Sequence, residues 1–116
     1  MAADETTTQG AAPNALSAGS MRIVNDAGCS MRFRVDWNGG ESGLSPDFPI
    51  NKSQTMAFAN LAGLAPGTWV WPLIVPDGGP NNGSGSPCIY DPKSSAVASY
   101  SVEGGVRSLT VSGPTP

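Results

Sequence analysis

The longest apolar run of this 116-residue chain, residues 69–76, holds two of its three tryptophans and is bounded by turn-forming residues on both sides. Read with the two-residue period of a β-strand, its two faces carry Trp69, Trp71, Leu73 and Val75 on one side and Val70, Pro72 and Ile74 on the other. Because both faces are apolar, the run predicts a strand that is covered on both sides. The remaining segments are expected to wrap around it.

The composition narrows the fold class. Charged residues make up 13% of the chain, against roughly 25% in an average domain, and 15 glycines and 11 prolines interrupt any long helix. The apolar fraction of 39% is too high for disorder throughout. No apolar run approaches the ~20 residues of a membrane-spanning helix. These values predict one turn-rich β-domain.

The clearest strand pattern lies at residues 30–38, where Met31, Phe33, Val35 and Trp37 alternate with polar and charged residues. This alternation predicts a half-buried strand with a charged outer face. Further strands are expected at residues 21–25, 54–58, 88–90, 96–102 and 106–111. Seven or eight short strands at nearly regular spacing predict an all-β fold, a single antiparallel β-sandwich that is immunoglobulin-like or jelly-roll-like.

The expected domain organisation has three parts. Residues 1–19 are small and polar and predict an extended N-terminal arm that is flexible or bound to a partner. Residues 20–113 form the sandwich domain, and residues 114–116 form a tail. The N-terminus is acidic and lacks an apolar segment, so no signal peptide is visible. A location in a particle or outside the cell is favoured.

Several function classes lack their usual residues. There is no histidine, the commonest general base and metal ligand, and no Gly-x-Ser-x-Gly motif. The acidic side chains fall in separate segments. The sequence therefore predicts a protein that is not an enzyme and has no cofactor and no metal. A net charge of −3 lacks the basic footprint of a nucleic-acid binder.

The two cysteines, Cys29 and Cys88, admit two interpretations. One disulfide is compatible with a small β-rich chain. Two buried thiols that behave as small apolar side chains fit equally well. The sequence leaves both open.

Candidate binding residues lie near two loops. Residues 76–87 form a long polar loop of the kind that is often functional. In and beside it, Asp77, Asn81, Asn82 and Asp91 offer oxygen ligands of the type that calcium takes. Their spacing matches no EF-hand, and turns built on Asx and glycine are favoured. An exposed indole or phenol ring beside polar side chains suits sugar stacking. The candidate binding set is Trp37, Asn38, Asp77, Asn81, Asn82 and Tyr90, although the register of Trp37 with Phe33 favours a core position.

Three functional classes compete. The favoured one is a structural or interaction module of a larger particle, such as a virion decoration protein or a repeated surface component, with its N-terminal arm contacting other protein subunits. The alternative is a carbohydrate-binding module or lectin that uses loop polar residues and an exposed Trp or Tyr to bind glycans. The third is a small membrane-active β-sandwich toxin. If the face of Trp69 and Trp71 lies open, it becomes a recognition platform or a membrane-seeking patch.

Overall fold

A computed structural model of the chain describes residues 15–79 and 81–116. Ten strands run through this part: β1 (Ser17–Ala18), β2 (Ser20–Asn25), β3 (Met31–Trp37), β4 (Gly40–Glu41), β5 (Ser53–Ala57), β6 (Trp69–Pro76), β7 (Gly83–Ser84), β8 (Cys88–Tyr90), β9 (Val97–Gly105) and β10 (Ser108–Thr115). The helical content of the described residues is one 3-10 turn, Phe58–Asn60. No helix in this part is both long enough and apolar enough to traverse a bilayer. The all-β prediction is confirmed.

The strands form two sheets. Sheet I has the order β1-β8-β6-β3-β4, with β7 also paired to β6, and sheet II has the order β10-β9-β2-β5. The prediction of a single antiparallel sandwich of immunoglobulin-like or jelly-roll-like type is wrong, because β1 pairs in parallel with β8 and β2 in parallel with β9. The hydrophobic alternation fixes which face of a strand is buried but not the direction of its neighbour. Both sheets are therefore mixed.

One hydrophobic core joins the sheets, and β3 shows how it is built. Met31, Phe33, Val35 and Trp37 are buried while the residues between them face outward. β3 pairs antiparallel with β6 along its whole length, from Met31 opposite Pro76 to Trp37 opposite Val70. The alternation predicted for this strand is confirmed.

Strand β6 differs from its prediction. Val70, Pro72, Ile74 and Pro76 are buried, but the tryptophan side of the strand is only half-buried. The prediction of a strand covered on both faces is wrong, because β6 belongs to one layer of a two-layer structure. Its other face forms part of the outer surface of sheet I.

The folded domain extends beyond both predicted boundaries. Ser17 and Ala18 form β1, Ala18 is fully buried, and the Gly19 N–H donates to the Ala96 carbonyl at 3.0 Å. At the other end β10 continues to Thr115, within the predicted tail. Residues 1–14 of the predicted arm lie outside the described residues.

Buried polar side chains hold two loops against this framework. Asn25 is fully buried, and its amide donates to the carbonyls of Cys29 and Phe48 at 2.8 and 3.0 Å. Beside β3, the hydroxyls of Ser42 and Ser45 accept the N–H groups of Val35 and Phe33 at 2.8 and 3.0 Å. These side chains supply the hydrogen bonds that a regular neighbouring strand would otherwise make.

The two cysteines are free thiols. Cys29 precedes β3 near the Pro76 end of β6, whereas Cys88 pairs with Val70 at the other end. Six residues of extended strand separate these ends by about 20 Å, and a disulfide needs α-carbons within roughly 7 Å. The geometry excludes the bridge. The interpretation as two buried thiols holds for Cys88, which is buried, but Cys29 is only half-buried.

Candidate functional site

The outer face of sheet I carries an apolar strip on β6. It consists of Trp69, Trp71, Leu73 and Val75, all half-buried, and we call these four residues the tryptophan strip. Since side chains alternate along a strand, the burial of Val70 and Ile74 in the core forces these four residues outward. At 3.3 Å per residue the strip is about 20 Å long.

The strands beside β6 give the strip two different borders. On one side, Ile89 of β8 lies opposite Trp69 and extends the apolar surface towards the edge of the sheet. On the other side, β3 places Asp36 opposite Trp71, Arg34 opposite Leu73 and Arg32 opposite Val75. On the first side β7 places Ser84 opposite Leu73. The strip is therefore bordered there by an apolar residue at its Trp69 end and a polar one further along, and by charged residues on the β3 side.

The charged border is held by ion pairs. The Arg34 Nε lies 2.8 Å from the Asp36 Oδ1, and its Nη1 lies 3.0 Å from the Glu41 Oε2. The first pair is partly buried and the second is exposed. Exposed pairs contribute about 1 kcal/mol or less to stability, so the main effect of the Arg34–Glu41 pair is to fix the positions of the charges. Charges of both signs lie along one side of the strip.

A pair of carboxyl groups lies at the Pro76 end of the strip. A hydrogen bond that the protonated Asp47 carboxyl donates to Asp77 raises the pKa of Asp47 above its ordinary value, and the nearby Arg32 acts in the opposite direction. Arg32 Nε itself lies 4.0 Å from Asp77 Oδ1. Within the described ranges no three metal-ligating side chains gather. The sequence does not predict the contact between these two carboxyl groups, because they belong to loops far apart in the chain.

Two of the candidate binding residues are core residues. Trp37 is 8% exposed and Tyr90 is 6% exposed, and the Tyr90 ring packs edge-to-face on Phe58 with centroids 5.5 Å apart. Asn38, by contrast, is exposed in the turn after β3. Neither buried ring has a free face for stacking on a ligand.

The remaining candidates lie at the opposite end of the domain. Asp77 directly follows β6, Asn81 donates from Nδ2 to the Arg107 carbonyl at 3.0 Å, and Asn82 is exposed. Trp37 pairs with Val70 at the other end of β6, about 20 Å away along the strand. The six candidates therefore do not form one site.

Comparisons with known proteins assign no family. No family model matches the chain, and no curated protein matches its sequence. Among solved structures, a protein described as a trapped toxin matches with a TM-score of 0.46 and 14% identity, listeriolysin O with 0.44 and 12%, and a Gram-negative toxin with 0.42 and 16%. Each match covers 84% of this chain but only 24%, 22% and 23% of the respective toxin. The chain thus spans about a quarter of the length of these proteins, and similarity at this level assigns it no function.

Proposed function

We propose that the protein is a non-enzymatic interaction module that assembles with other protein subunits, foremost with copies of itself, through the tryptophan strip. The observation that carries the proposal is the outward placement of Trp69 and Trp71 beside Leu73 on the open face of sheet I. Tryptophan is enriched at the centres of protein interfaces, where a large apolar area is buried with little loss of side-chain freedom. A role as a repeated surface component of a particle, such as a virion decoration protein, fits this proposal.

The charged border favours a second copy as the partner. Along β3 the outward residues run Arg32, Arg34, Asp36. A two-fold axis in the interface and perpendicular to β6 would lay this row over the same row of a second copy in reverse order. The Arg32 guanidinium would then approach the partner's Asp36. At the centre Arg34 would face the partner's Arg34, but each of these guanidinium groups is already paired with Asp36 and Glu41 of its own chain. The two outer positions of the row are therefore charge-complementary.

The same geometry makes the alternatives less suitable. Sugar stacking through Trp37 or Tyr90 requires rings that are buried in the core. Docking on an anionic membrane is opposed by Asp36 and Glu41, whose carboxylates border the strip. The carboxyl groups of Asp47 and Asp77 could serve an enzyme as an acid and a base. They lie beside Arg32 at the surface, however, and no histidine is available to act with them.

Sedimentation equilibrium of the purified chain and its Trp71→Ser variant tests the proposal. We expect the parent protein to self-associate and the variant to associate at least about tenfold more weakly, since a central interface tryptophan contributes about 2 kcal/mol or more. Ile50→Ser is the matched control, because Ile50 is an apolar side chain that is 50% exposed in the loop before β5 of sheet II. It should associate like the parent protein.

Three results would contradict the proposal. The first is a parent protein that remains monomeric at all concentrations, and the second is an equal effect of Trp71→Ser and Ile50→Ser. The third is binding on a glycan array, or leakage of liposomes, that Trp71→Ser abolishes while the sedimentation of the protein does not change. That result would assign the strip to sugar or lipid instead.

A further inference from the structure

The outer face of sheet II is rich in hydroxyl groups, whereas the tryptophan strip is apolar. On β9 and β10, Ser101 lies opposite Ser112 and Ser99 lies opposite Thr115. Directly opposite positions in an antiparallel pair are about 5 Å apart, and next-but-one positions along a strand about 7 Å apart. The register therefore gathers four hydroxyl groups on one small area of the sheet.

A pocket of about 240 Å³ lies over these hydroxyls and is lined also by Val24, Tyr100 and Gly113. Between Ser112 and Thr115 the register of β10 shifts against β9, and such an irregularity bends a strand out of line with its neighbour. Gly113 has a φ of +116°, and a β-carbon at this position would come within 2.6 Å of the Ser99 carbonyl oxygen. The pocket thus depends on the backbone path at Gly113. Its volume is smaller than the roughly 300–1,000 Å³ of pockets for drug-sized ligands and suits a small polar group.

A guanidinium group stands beside the pocket. The Arg22 Nη2 donates to the Ser99 Oγ at 3.2 Å. Because the Ser99 oxygen accepts this hydrogen bond, its own proton is free for a ligand. Arg22 has no carboxylate partner among the ion pairs of the described residues. The acidic side chain that shares this face of β9 is Glu103, which lies opposite Thr110 beyond Ser101.

The lining disfavours a sugar. The Tyr100 side chain points away from the outer face, since its residue is buried and its hydroxyl donates to the Ser86 carbonyl. No aromatic face, carboxylate or side-chain amide lines the pocket, whereas sugar sites commonly combine such groups. Hydroxyl donors with an adjacent guanidinium suit an oxygen-rich anion instead.

We propose that this pocket binds a tetrahedral oxyanion, a phosphate or sulfate group. The hydroxyls of Ser99, Ser101 and Ser112 would donate to its oxygens, and Arg22 would supply the opposite charge. The Thr115 hydroxyl donates to the Ser99 carbonyl at 3.5 Å and closes the side of the pocket. A group seated between hydroxyls at this spacing lies within reach of more than one donor. The site is on the opposite side of the molecule from the tryptophan strip and does not depend on the assembly proposed above.

Titration of ¹⁵N-labelled protein with inorganic phosphate, at constant ionic strength balanced by chloride, tests the proposal. We expect saturable shifts at the amides of Ser99, Ser101 and Gly113. Arg22→Gln should weaken phosphate binding about tenfold, the loss expected for one charge-assisted hydrogen bond. Glu103→Gln should strengthen it, because it removes a negative charge from the same face. The two variants therefore have effects of opposite sign.

Arg107→Gln is the matched control, since it removes the same charge at an exposed position in the turn between β9 and β10. It should bind phosphate like the parent protein. The proposal is overturned if phosphate causes no saturable shift, if Arg22→Gln and Arg107→Gln weaken binding equally, or if neutral methyl glucoside shifts the same amides as strongly as phosphate does.

Two further probes distinguish the sources of the oxyanion. Glycerol 3-phosphate presents it on a soluble molecule, and phosphatidylcholine vesicles that contain phosphatidic acid present it on a lipid surface. Binding of the soluble probe alone supports a small-molecule ligand. Vesicle binding that Arg22→Gln abolishes supports a lipid head group.

Discussion

At the scale of the residue, Cys88 shows how the core controls the chemistry of a side chain. It is fully buried in β8, and burial raises the pKa of its thiol to about 11. Tyr100 lies beside it, and its pKa is also raised, first by burial and then by the nearby Cys88. Both groups therefore stay neutral in the folded protein to a higher pH than their ordinary pKa values would give. Desolvation disfavours the charged form of each.

These shifts predict a loss of stability in alkali. The thiol ionises in the unfolded chain near its ordinary value of 9.0 but in the folded protein only at about 11. The contribution of Cys88 is thus complete below pH 9 and is lost as the pH rises through 11, by roughly 2 kcal/mol. Urea unfolding between pH 8 and 11 measures this loss. Cys88→Ser should give a shallower decline, and an unchanged decline would contradict the assignment to Cys88.

At the scale of the element, β3 and β6 show what a sequence pattern can and cannot determine. The alternation in β3 has one apolar face, so its burial was predictable. β6 is apolar on both faces, and the pattern cannot say which face points inward. The pairing with β3 determines which face of β6 points inward, because the tryptophan strip lies on the same face as the outward Arg32, Arg34 and Asp36. That pairing joins segments more than thirty residues apart in the chain, which a local pattern does not encode.

The parallel pairs were hidden for the same reason. β2 pairs with β9 from Ser20 opposite Val97 to Asn25 opposite Val102, and no periodicity within either segment reports the other. β1 is only two residues long and was included in the predicted arm because its residues are small and polar. Its place in sheet I comes from backbone pairing with β8 and from the burial of Ala18.

Two N-terminal truncations separate β1 from the residues before it. Removal of residues 1–14 should leave the free energy of unfolding unchanged, because β1 remains paired with β8. Removal of residues 1–18 should lower it by about 2 kcal/mol, since it also exposes the core around Ala18. Urea unfolding measures both. Equal stability of the two truncations would contradict the role of β1.

The same truncations test the predicted arm. If residues 1–14 contact other subunits, their removal weakens assembly in sedimentation equilibrium without changing the free energy of unfolding. Unchanged assembly would show that the tryptophan strip acts without them.

At the scale of the whole molecule, the two sheets share one core and expose two unlike surfaces. The outer face of sheet I is apolar with a charged border, and that of sheet II is lined with hydroxyls around a shallow pocket. Neither surface was fully predictable from the sequence. The predicted binding set combined residues from opposite ends of β6, such as Trp37 and Asp77. The sequence shows that a residue is near a loop, but not at which end of the sheet that loop lies. The sequence predicted the tryptophan strip as a recognition surface only for the case in which the face of Trp69 and Trp71 lies open.

Hydroxyl-radical footprinting of the dilute, monomeric protein, with oxidation measured at each tryptophan by mass spectrometry, tests the central claim most directly. Trp69 and Trp71 lie on the half-buried outer face of β6, while Trp37 is 8% exposed in the core. We predict that Trp69 and Trp71 are oxidised several times faster than Trp37, and that this difference shrinks when the protein assembles. Equal protection of all three tryptophans in the monomer would place the strip inside the fold and contradict the account.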